Sequence, residues 1–365
     1  MYNLFGGIYK DRTVLVTGHT GFKGSWLVYW LSQMGAKVIG YSLEAPTDPN
    51  HITLLNAEII SIIGDIRDQE KLNLIFETYK PDIVFHLAAQ ALVRLSYENP
   101  IETYETNVMG TLKVFEACRR NNLKAIVNIT SDKAYENREW IWGYRESDRL
   151  GGYDPYSSSK SCADILTNSY RNSYFNPKEY KKTHNTLLAS CRAGNVIGGG
   201  DWAKDRLIPD IMISVSQRKK VNIRNPNATR PWQHVLEPLS GYLQIGQKLL
   251  EEKVEFAEAW NFGPSDEESI TVEKVVHNVK KHWDKINYEI NCDSNQLHEA
   301  NLLKLDCSKA HVLLKWKDVW DSDTILEKTV KWYRAFYENK EILTKSCLEE
   351  YIKDATRKGL IWTKN

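Results

Sequence analysis

Between Arg12 and Cys191 short, β-branched apolar runs alternate with stretches whose apolar residues recur every three or four positions. The runs are TVLVT (13–17), KVIGY (37–41), DIVFHLAA (82–89), AIVNIT (125–130) and TLLAS (186–190), with a further strand, third in order, ending at IIGDIR. They carry little polar alternation, which marks strands covered on both faces. In Phe22–Met34, Trp26, Leu27, Trp30, Leu31 and Met34 fall at helical spacing, a stripe read as core. Strand and helix in strict alternation predict an α/β fold, a doubly wound parallel sheet with crossover helices.

After Arg192 the alternation loosens into a Gly-rich turn, GNVIGGGDW, a basic segment, QRKKVNIRNPNATRPW, and mixed elements ending in a helix over Ser322 to Tyr337. This predicts a smaller α/β domain over 192–365 beside a domain over 1–191, the latter completed by a segment near 233–262. No internal repeat, low-complexity tract or flexible linker interrupts the chain, so the two parts are expected to share an interface. At 365 residues there is ample length for such a pair.

Charge narrows the choice of partner. Lys+Arg number 48 and Asp+Glu 47, so no global field draws the chain to nucleic acid or an anionic membrane, and a small-molecule partner fits better. The six cysteines are scattered without a C-x-x-C pair or a histidine cluster at metal-ligand spacing, which predicts reduced thiols and no structural metal. The start, MYNLFGGIYKDRTVLV, lacks a basic region followed by a continuous apolar core, and no later run is long enough to span a bilayer. A cytoplasmic location is the expectation.

Two stretches carry chemistry. The first strand runs into TGHTGFKG, with Gly18, Gly21 and Gly24 at G-x-x-G-x-x-G spacing where the first helix begins. Glycine allows the tight turn and close approach, and a helix start offers free N–H groups to a pyrophosphate; the bland alternative is a loop with no ligand. The second strand ends in GYSLEA, so Ser42 stands where an acid usually holds the adenosine ribose, and the choice between NAD and NADP stays open. Asp65 is either an adenine contact or, like Asp68, a helix cap.

Tyr156 and Lys160 in YDPYSSSK lie one helical turn apart on one face. A neighbouring ammonium stabilises a phenolate and makes tyrosine a usable base, although the same spacing occurs on ordinary solvated helices. The fifth strand ends in NITSDKAYENREW, where Ser131, Asp132 and Lys133 stand side by side before an aromatic loop. That is either a solvated strand end or the lip of an active site.

Taken together, the glycine loop, LAAQ (87–90), Asn107, Ser131 and the Tyr156/Lys160 pair resemble the extended short-chain dehydrogenase/reductase superfamily along nearly the whole chain. The resemblance implies a Rossmann fold, bound NAD and a C-terminal domain for a nucleotide sugar. Cofactor contacts are then expected from Gly18, Thr20, Gly21, Phe22, Gly24, Asp65, Ile66, Leu87, Ala88, Ala89, Asn107, Tyr156 and Lys160. Tyr156 would be the base, Lys160 would hold the nicotinamide ribose and lower the tyrosine pKa, and Ser131 would hydrogen-bond the reacting hydroxyl.

The triplet sharpens this, because nucleotide-sugar 4,6-dehydratases carry a hydroxyl residue, an aspartate and a glutamate or lysine at this strand end, which simple epimerases lack. The lysine form, with VTGHTGFKGSWL, TNVMGT, NREWIWGYRE, GGYDPYS, RAGNVIGGGDWAKDRLIPD and RPWQHVLEPLSGY, resembles the branch acting on CDP-glucose, which also lacks the acid at Ser42. Asp132 is then the expected acid for the C6 hydroxyl, and Lys133 either the C5 base or a cation stabilising the enolate. Asn195, Arg206, Arg224, Arg230 and His234 are the expected substrate contacts, Arg230 on the diphosphate and Arg224 near the base, with a solvated basic face as the alternative. Trp202 and Trp232 are read as core; His298 and Glu299 are weaker pocket candidates.

The resemblance further implies a homodimer built on four helices from about 101–121 and 156–174. The rivals are an epimerase or dehydratase for a TDP-, GDP- or UDP-linked sugar, and a non-catalytic dinucleotide binder. The second is disfavoured by Ser131, Tyr156 and Lys160 occurring together.

Overall fold

The computed structural model describes residues 1–223, 225–264, 270–290 and 302–364. Its centre is a seven-stranded, all-parallel sheet made of β1 (Thr13–Thr17), β2 (Lys37–Ser42), β3 (Ile59–Ile63), β4 (Ile83–His86), β5 (Ala125–Ile129), β6 (Leu187–Ala193) and the edge strand Ala259–Phe262. Across the sheet the edge strand pairs with β6, followed by β5, β4, β1, β2 and β3. Every residue of β4, β5 and β6 is buried, as their unbroken apolar runs require, while β3 at the far edge leaves Ile60 and Ile63 exposed.

The chain leaves β1 toward β2 and β3, then returns to place β4 on the other side of β1. Strand order reverses there, so beyond their adjoining loops the connections after β1 and β4 lead to helices on opposite faces of the sheet and open a crevice at the carboxyl ends of the strands. The register Thr17↔His86 sets those loops side by side.

One face of the sheet is covered by the helices Phe22–Gln33 and Leu236–Leu250, the other by Gln69–Tyr79, Thr111–Arg120 and Pro155–Ser173. The helix Phe22–Gln33 is sandwiched rather than amphipathic: Trp26, Leu27, Trp30 and Leu31 are all fully buried, in line with their reading as core. The helix predicted at Ser322 to Tyr337 runs over Ser322–Asn339, and Trp202 and Trp232 are buried beside it and its neighbours.

The Gly-rich turn fastens the later residues to the helix Phe22–Gln33. The Trp26 indole donates to the Gly199 carbonyl at 2.9 Å. A Cβ on Gly199 would lie 2.0 Å from the Trp332 ring, and Gly200, at φ +89, lies against the His51 ring. Only glycine fits between these rings. Short strand pairs complete this part: Val196–Ile197 with Gln233–His234, Lys220–Ile223 with Asn287–Ile290, and Thr229–Arg230 with Ile270–Thr271. Among the described residues no helix is long and apolar enough to cross a membrane, and no cluster of metal-ligating side chains occurs.

Candidate active site

The crevice is walled by backbone. Gly18 has φ +76, and a Cβ there would lie 2.7 Å from the Ala88 amide nitrogen, so the loop after β1 touches the Leu87–Ala89 loop after β4. A Cβ on Gly24 would meet the Gly18 carbonyl at 2.0 Å, which locks the helix against the same turn. Leu87, Ala88 and Ala89 are half-buried along the rim, and Phe22 leans toward Gly198. The helix starts after Gly21 with no side-chain cap, so its first amides have bare backbone around them and no internal acceptor. An uncapped helix start, small residues and a crevice at a strand-order reversal fit the pyrophosphate of a dinucleotide.

Several expected cofactor residues also make internal contacts that hold the crevice together. The Thr20 hydroxyl is shared between Ser42 Oγ (2.8 Å) and the Leu43 carbonyl (2.9 Å), so Ser42 pins the phosphate loop where an acid would have faced a ribose. Both Asp65 oxygens bind Arg67, its side chain at 2.7 Å and its amide at 2.8 Å, while Asp68 caps the helix Gln69–Tyr79. The Asp65 side chain remains 29% exposed beside that ion pair. Ile66 is buried beneath Gly110. Asn107, buried in a π-helical turn over Glu105–Gly110, accepts from the Gln90 amide (2.8 Å) and donates to the Gln90 carbonyl (3.0 Å) and Ser159 Oγ (2.8 Å). Its whole amide is used to tie the Leu87–Gln90 loop to the helix that carries Tyr156.

That helix begins at Pro155, capped by Asp154, whose carboxylate accepts from the Ser157 amide (2.9 Å) and hydroxyl (2.6 Å). The cap and Ser96, which accepts from the Tyr156 amide at 3.1 Å, set Tyr156 and Lys160 on one face behind β5. Two residues past β5, Ser131 caps the short 3-10 turn Asp132–Ala134; its Oγ accepts from the Lys133 amide (3.2 Å) and donates to Asp132 Oδ1 (3.0 Å). Ser131, Asp132 and Tyr156 are all buried, whereas Lys133 is half-buried and forms no side-chain hydrogen bond among the described residues. The strand end is thus the lip of a closed site, not a solvated terminus.

The electrostatics separate the roles. Burial holds the Tyr156 phenol up at about 12; a hydrogen bond to Ser131 and the Arg206 cation pull it down, and Asp132 and Asp154 push it further up. Burial also raises the Asp132 carboxyl, opposed by Lys133, Ser131 and Lys23. Lys160 is brought down to about 8 by burial, with Asp164 resisting, and its ammonium donates to the Ile129 carbonyl at 3.3 Å.

The matching family model is that of GDP-mannose 4,6-dehydratase, over residues 15–329. A CDP-glucose 4,6-dehydratase of Salmonella typhimurium is 54% identical over 96% of this chain and 98% of its own length. The chain belongs to the nucleotide-sugar 4,6-dehydratase family. A dTDP-glucose 4,6-dehydratase of the same organism is 25% identical over 88% of this chain and 92% of its own. Among solved structures, an epimerase from Methanothermobacter thermautotrophicus superimposes with TM-score 0.79 (23% identity, 93% of this chain, 95% of that one). A dTDP-glucose 4,6-dehydratase from Bacillus anthracis in complex with NAD gives 0.73 (22% identity, 90% and 98%). These two share the Rossmann-type fold.

Among the expected substrate contacts, Arg206 is held by Asp201 at 2.8 Å, and its charge favours ionisation of Tyr156. Asn195 is half-buried at the start of the Gly-rich turn, where its carbonyl accepts from the Gln233 amide at 3.1 Å. His234 is a correction: it is fully buried, edge-on to Trp26 and Trp320, with its pKa driven down to about 3 by burial. A neutral ring sealed between two indoles is core, not a substrate ligand. Arg224, the Arg230 side chain, His298 and Glu299 lie outside the described residues.

Two residues of the site were not anticipated. Lys23, in the first turn of the phosphate-loop helix, feels Asp132, Arg206 and Lys160, and its ammonium is lowered to about 8, chiefly by burial. The KG in GFKG was its only signal, and spacing alone gives no reason to favour it. Gly194 is the other: a Cβ there would lie 3.0 Å from Asp132 Oδ2 and 3.1 Å from Pro231.

Proposed function

We propose that the protein is a CDP-glucose 4,6-dehydratase, converting CDP-D-glucose to CDP-4-dehydro-6-deoxy-D-glucose and water in deoxysugar biosynthesis. One observation carries this: the near full-length likeness to the Salmonella typhimurium enzyme of that name, in a chain whose Ser131, Asp132 and Lys133 meet Tyr156 and Lys160 at one closed lip. NAD, when bound, supplies the acceptor for hydride from C4 and its return to C6.

The glycine cradle at Gly18, Gly21 and Gly24 would hold the pyrophosphate, and Lys160 the nicotinamide ribose. Tyr156 takes the proton of the C4 hydroxyl, with Ser131 hydrogen-bonded to the same oxygen. Oxidation at C4 acidifies the C5 proton, because the carbanion is an enolate of the new ketone. Lys133, half-buried and without a side-chain hydrogen bond among the described residues, would remove that proton as the neutral amine or stabilise the enolate as the cation. Asp132, which burial inclines to its protonated form, donates to the departing C6 hydroxyl, so water leaves and the oxidation at C4 is balanced by reduction at C6.

We read the enzyme as a homodimer. The helices around Pro100–Met109 and Cys162 frame an apolar cavity of about 430 Å³, and Ile101, Met109 and Ile165 are exposed beside it, which suits a four-helix contact. The five described cysteines are free, in keeping with a cytoplasmic enzyme.

The test is incubation with NAD⁺ and, separately, CDP-, TDP-, UDP- and GDP-linked hexoses, following product mass for loss of water. Loss with CDP-glucose alone is expected. Loss with a different nucleotide would keep the chemistry and overturn the substrate, and no loss with any would return the weight to an epimerase or a dinucleotide binder.

A further inference from the structure

Beside the helix Pro155–Ser173, where β6 meets the edge strand, lies a cavity of about 1190 Å³ that shares no lining residue with the phosphate loop, the Leu87–Gln90 loop or the catalytic lip. Its walls are that helix, β6 and the start of the edge strand, with the turns around 145–150, 254–258 and 306–309. One side chain in it lacks what its burial demands. Arg171 is only 9% exposed, yet Nε, which donates to the Leu188 carbonyl at 3.0 Å, is the one nitrogen of its guanidinium with a partner among the described residues, and Nη2 is buried with none.

A guanidinium taken out of water is costly unless an anion or a full set of acceptors replaces the solvent, so buried arginines are otherwise paired. Arg192, which lines the same cavity, shows the complete arrangement: two bonds to Asp164, one to the Tyr135 hydroxyl at 2.7 Å and one to the Glu146 carbonyl at 3.1 Å. Arg171 has no such set. Burial lowers its pKa to about 10, and the two carboxylates that resist this are engaged elsewhere, Asp164 by Arg192 at 2.8 Å and Glu258 by Lys309.

The rest of the lining narrows the kind of anion. Asn168 and Asn172 are exposed one turn apart on the helix, and their carboxamides bond to no described residue. The Glu255 carboxylate and the Lys178 ammonium are likewise unpaired among the described residues. The other charges are committed: Arg145 pairs with Asp306 at 3.2 Å, and the Asp148 and Glu146 carboxylates accept from the Arg145 and Asn261 amides. A guanidinium matches a phosphate with its planar fork, whereas free carboxamides and a carboxylate match hydroxyl groups. A bare anion would use only the first of these and would face Glu255 with nothing to offer it.

We propose that this cavity is a second ligand site, taking a phosphorylated sugar whose phosphate is bound by Arg171 and whose hydroxyls meet Asn168, Asn172 and Glu255. The cavity is large enough for such a molecule. The proposal stands apart from the substrate reading, since no residue of the lip takes part in it.

The experiment fills the active site of the full chain with NAD⁺ and the nucleoside diphosphate of whichever sugar it turns over, then titrates glucose 1-phosphate, inorganic phosphate and glucose by isothermal calorimetry. Glucose 1-phosphate should bind once per chain and about tenfold more tightly than inorganic phosphate, a ratio that one or two hydroxyl hydrogen bonds supply, and glucose should not bind. Arg171→Met keeps the length of the side chain and removes its charge. It should weaken glucose 1-phosphate by more than about tenfold and leave the unfolding midpoint of the ligand-free enzyme unchanged or raised.

Wild-type affinity in Arg171→Met, or no binding of glucose 1-phosphate to wild type, would overturn the proposal and leave a hydrated cavity. Inorganic phosphate binding as tightly as glucose 1-phosphate would overturn the assignment to a sugar. If Arg171→Met misfolds by near-ultraviolet circular dichroism, Asn172→Glu decides, because it adds a carboxylate to the wall: unimpaired binding of glucose 1-phosphate there sinks the site.

Discussion

Two buried aspartates stand on either side of Lys160, and their surroundings give them opposite characters. Around Asp164, one turn further along the helix, Arg192 donates from Nε at 2.8 Å and Nη2 at 3.1 Å and the Thr130 hydroxyl at 2.7 Å. This pairing overcomes burial and holds the Asp164 carboxyl below the usual range. Around Asp132, just past β5, no guanidinium among the described side chains donates: Ser131 and the Lys133 amide are the near donors, the cations Lys133 and Lys23 act without a direct hydrogen bond, and burial wins. Equal burial therefore yields a permanent anion in one region and a proton carrier in the other. Pairing, not depth, decides which carboxyl can act as an acid.

That contrast can be broken most sharply by removing each charge in turn. Asp132→Asn should lower kcat by about 10²- to 10⁴-fold with the unfolding midpoint unchanged or raised, since it deletes a general acid and a poorly compensated carboxyl. Asp164→Asn should do the reverse, losing about 3–5 kcal/mol of stability in denaturant unfolding because Arg192 is left buried without its partner. Equal stability losses in the two variants would defeat the distinction.

A less drastic change acts on geometry alone. Gly194→Ala should push Asp132 Oδ2 and Pro231 aside and cost about tenfold in kcat, with an unaltered unfolding curve. Proton exchange tests the neighbour: in Lys133→Met, deuterium uptake at C5 of the sugar should fall in parallel with kcat if Lys133 is the C5 base, and persist if it only stabilises the enolate.

The pH dependence of stability carries the same opposition in sign. The folded-state pKa of Asp164 is depressed, so its contribution is present above the unfolded pKa and is lost as pH falls. That of Asp132 is raised, so its contribution is present below the unfolded pKa and is lost as pH rises through the folded value. Asp164→Asn should flatten the acid limb of stability measured by chemical unfolding, and Asp132→Asn should reduce the decline toward neutral pH. The smallest effect on function is expected at His234: His234→Gln should leave KM for the nucleotide sugar within about twofold while costing about 1–3 kcal/mol, as a core substitution does.

The parts of the site that were legible in the sequence are those built locally. The glycines between β1 and its helix, the one-turn spacing of Tyr156 and Lys160, and the strand end at Ser131–Lys133 each place their groups within a few residues by backbone geometry alone. The parts that misled or escaped notice depend on residues brought from afar. His234 reads as a ligand in a basic segment, and only the indoles of Trp26 and Trp320 show it to be core. Asn107 and Thr20 read as cofactor contacts, and only the fold shows that they also bond to Gln90, Ser159, Ser42 and Leu43. Lys23 gave no signal, because its place in the site comes from the charges opposite it.

The sequence by itself thus determined the parallel sheet, the crevice at its strand reversal and the identity of the groups at the lip, since apolar runs, glycine freedom and helical spacing act over short stretches of chain. Only the tertiary structure decided what each charge does. The ionisation of Asp132, Asp164 and Tyr156 depends on burial and on partners such as Arg192 and Arg206, and the electrostatic energy of a buried group is set by neighbours in space rather than by neighbours in sequence.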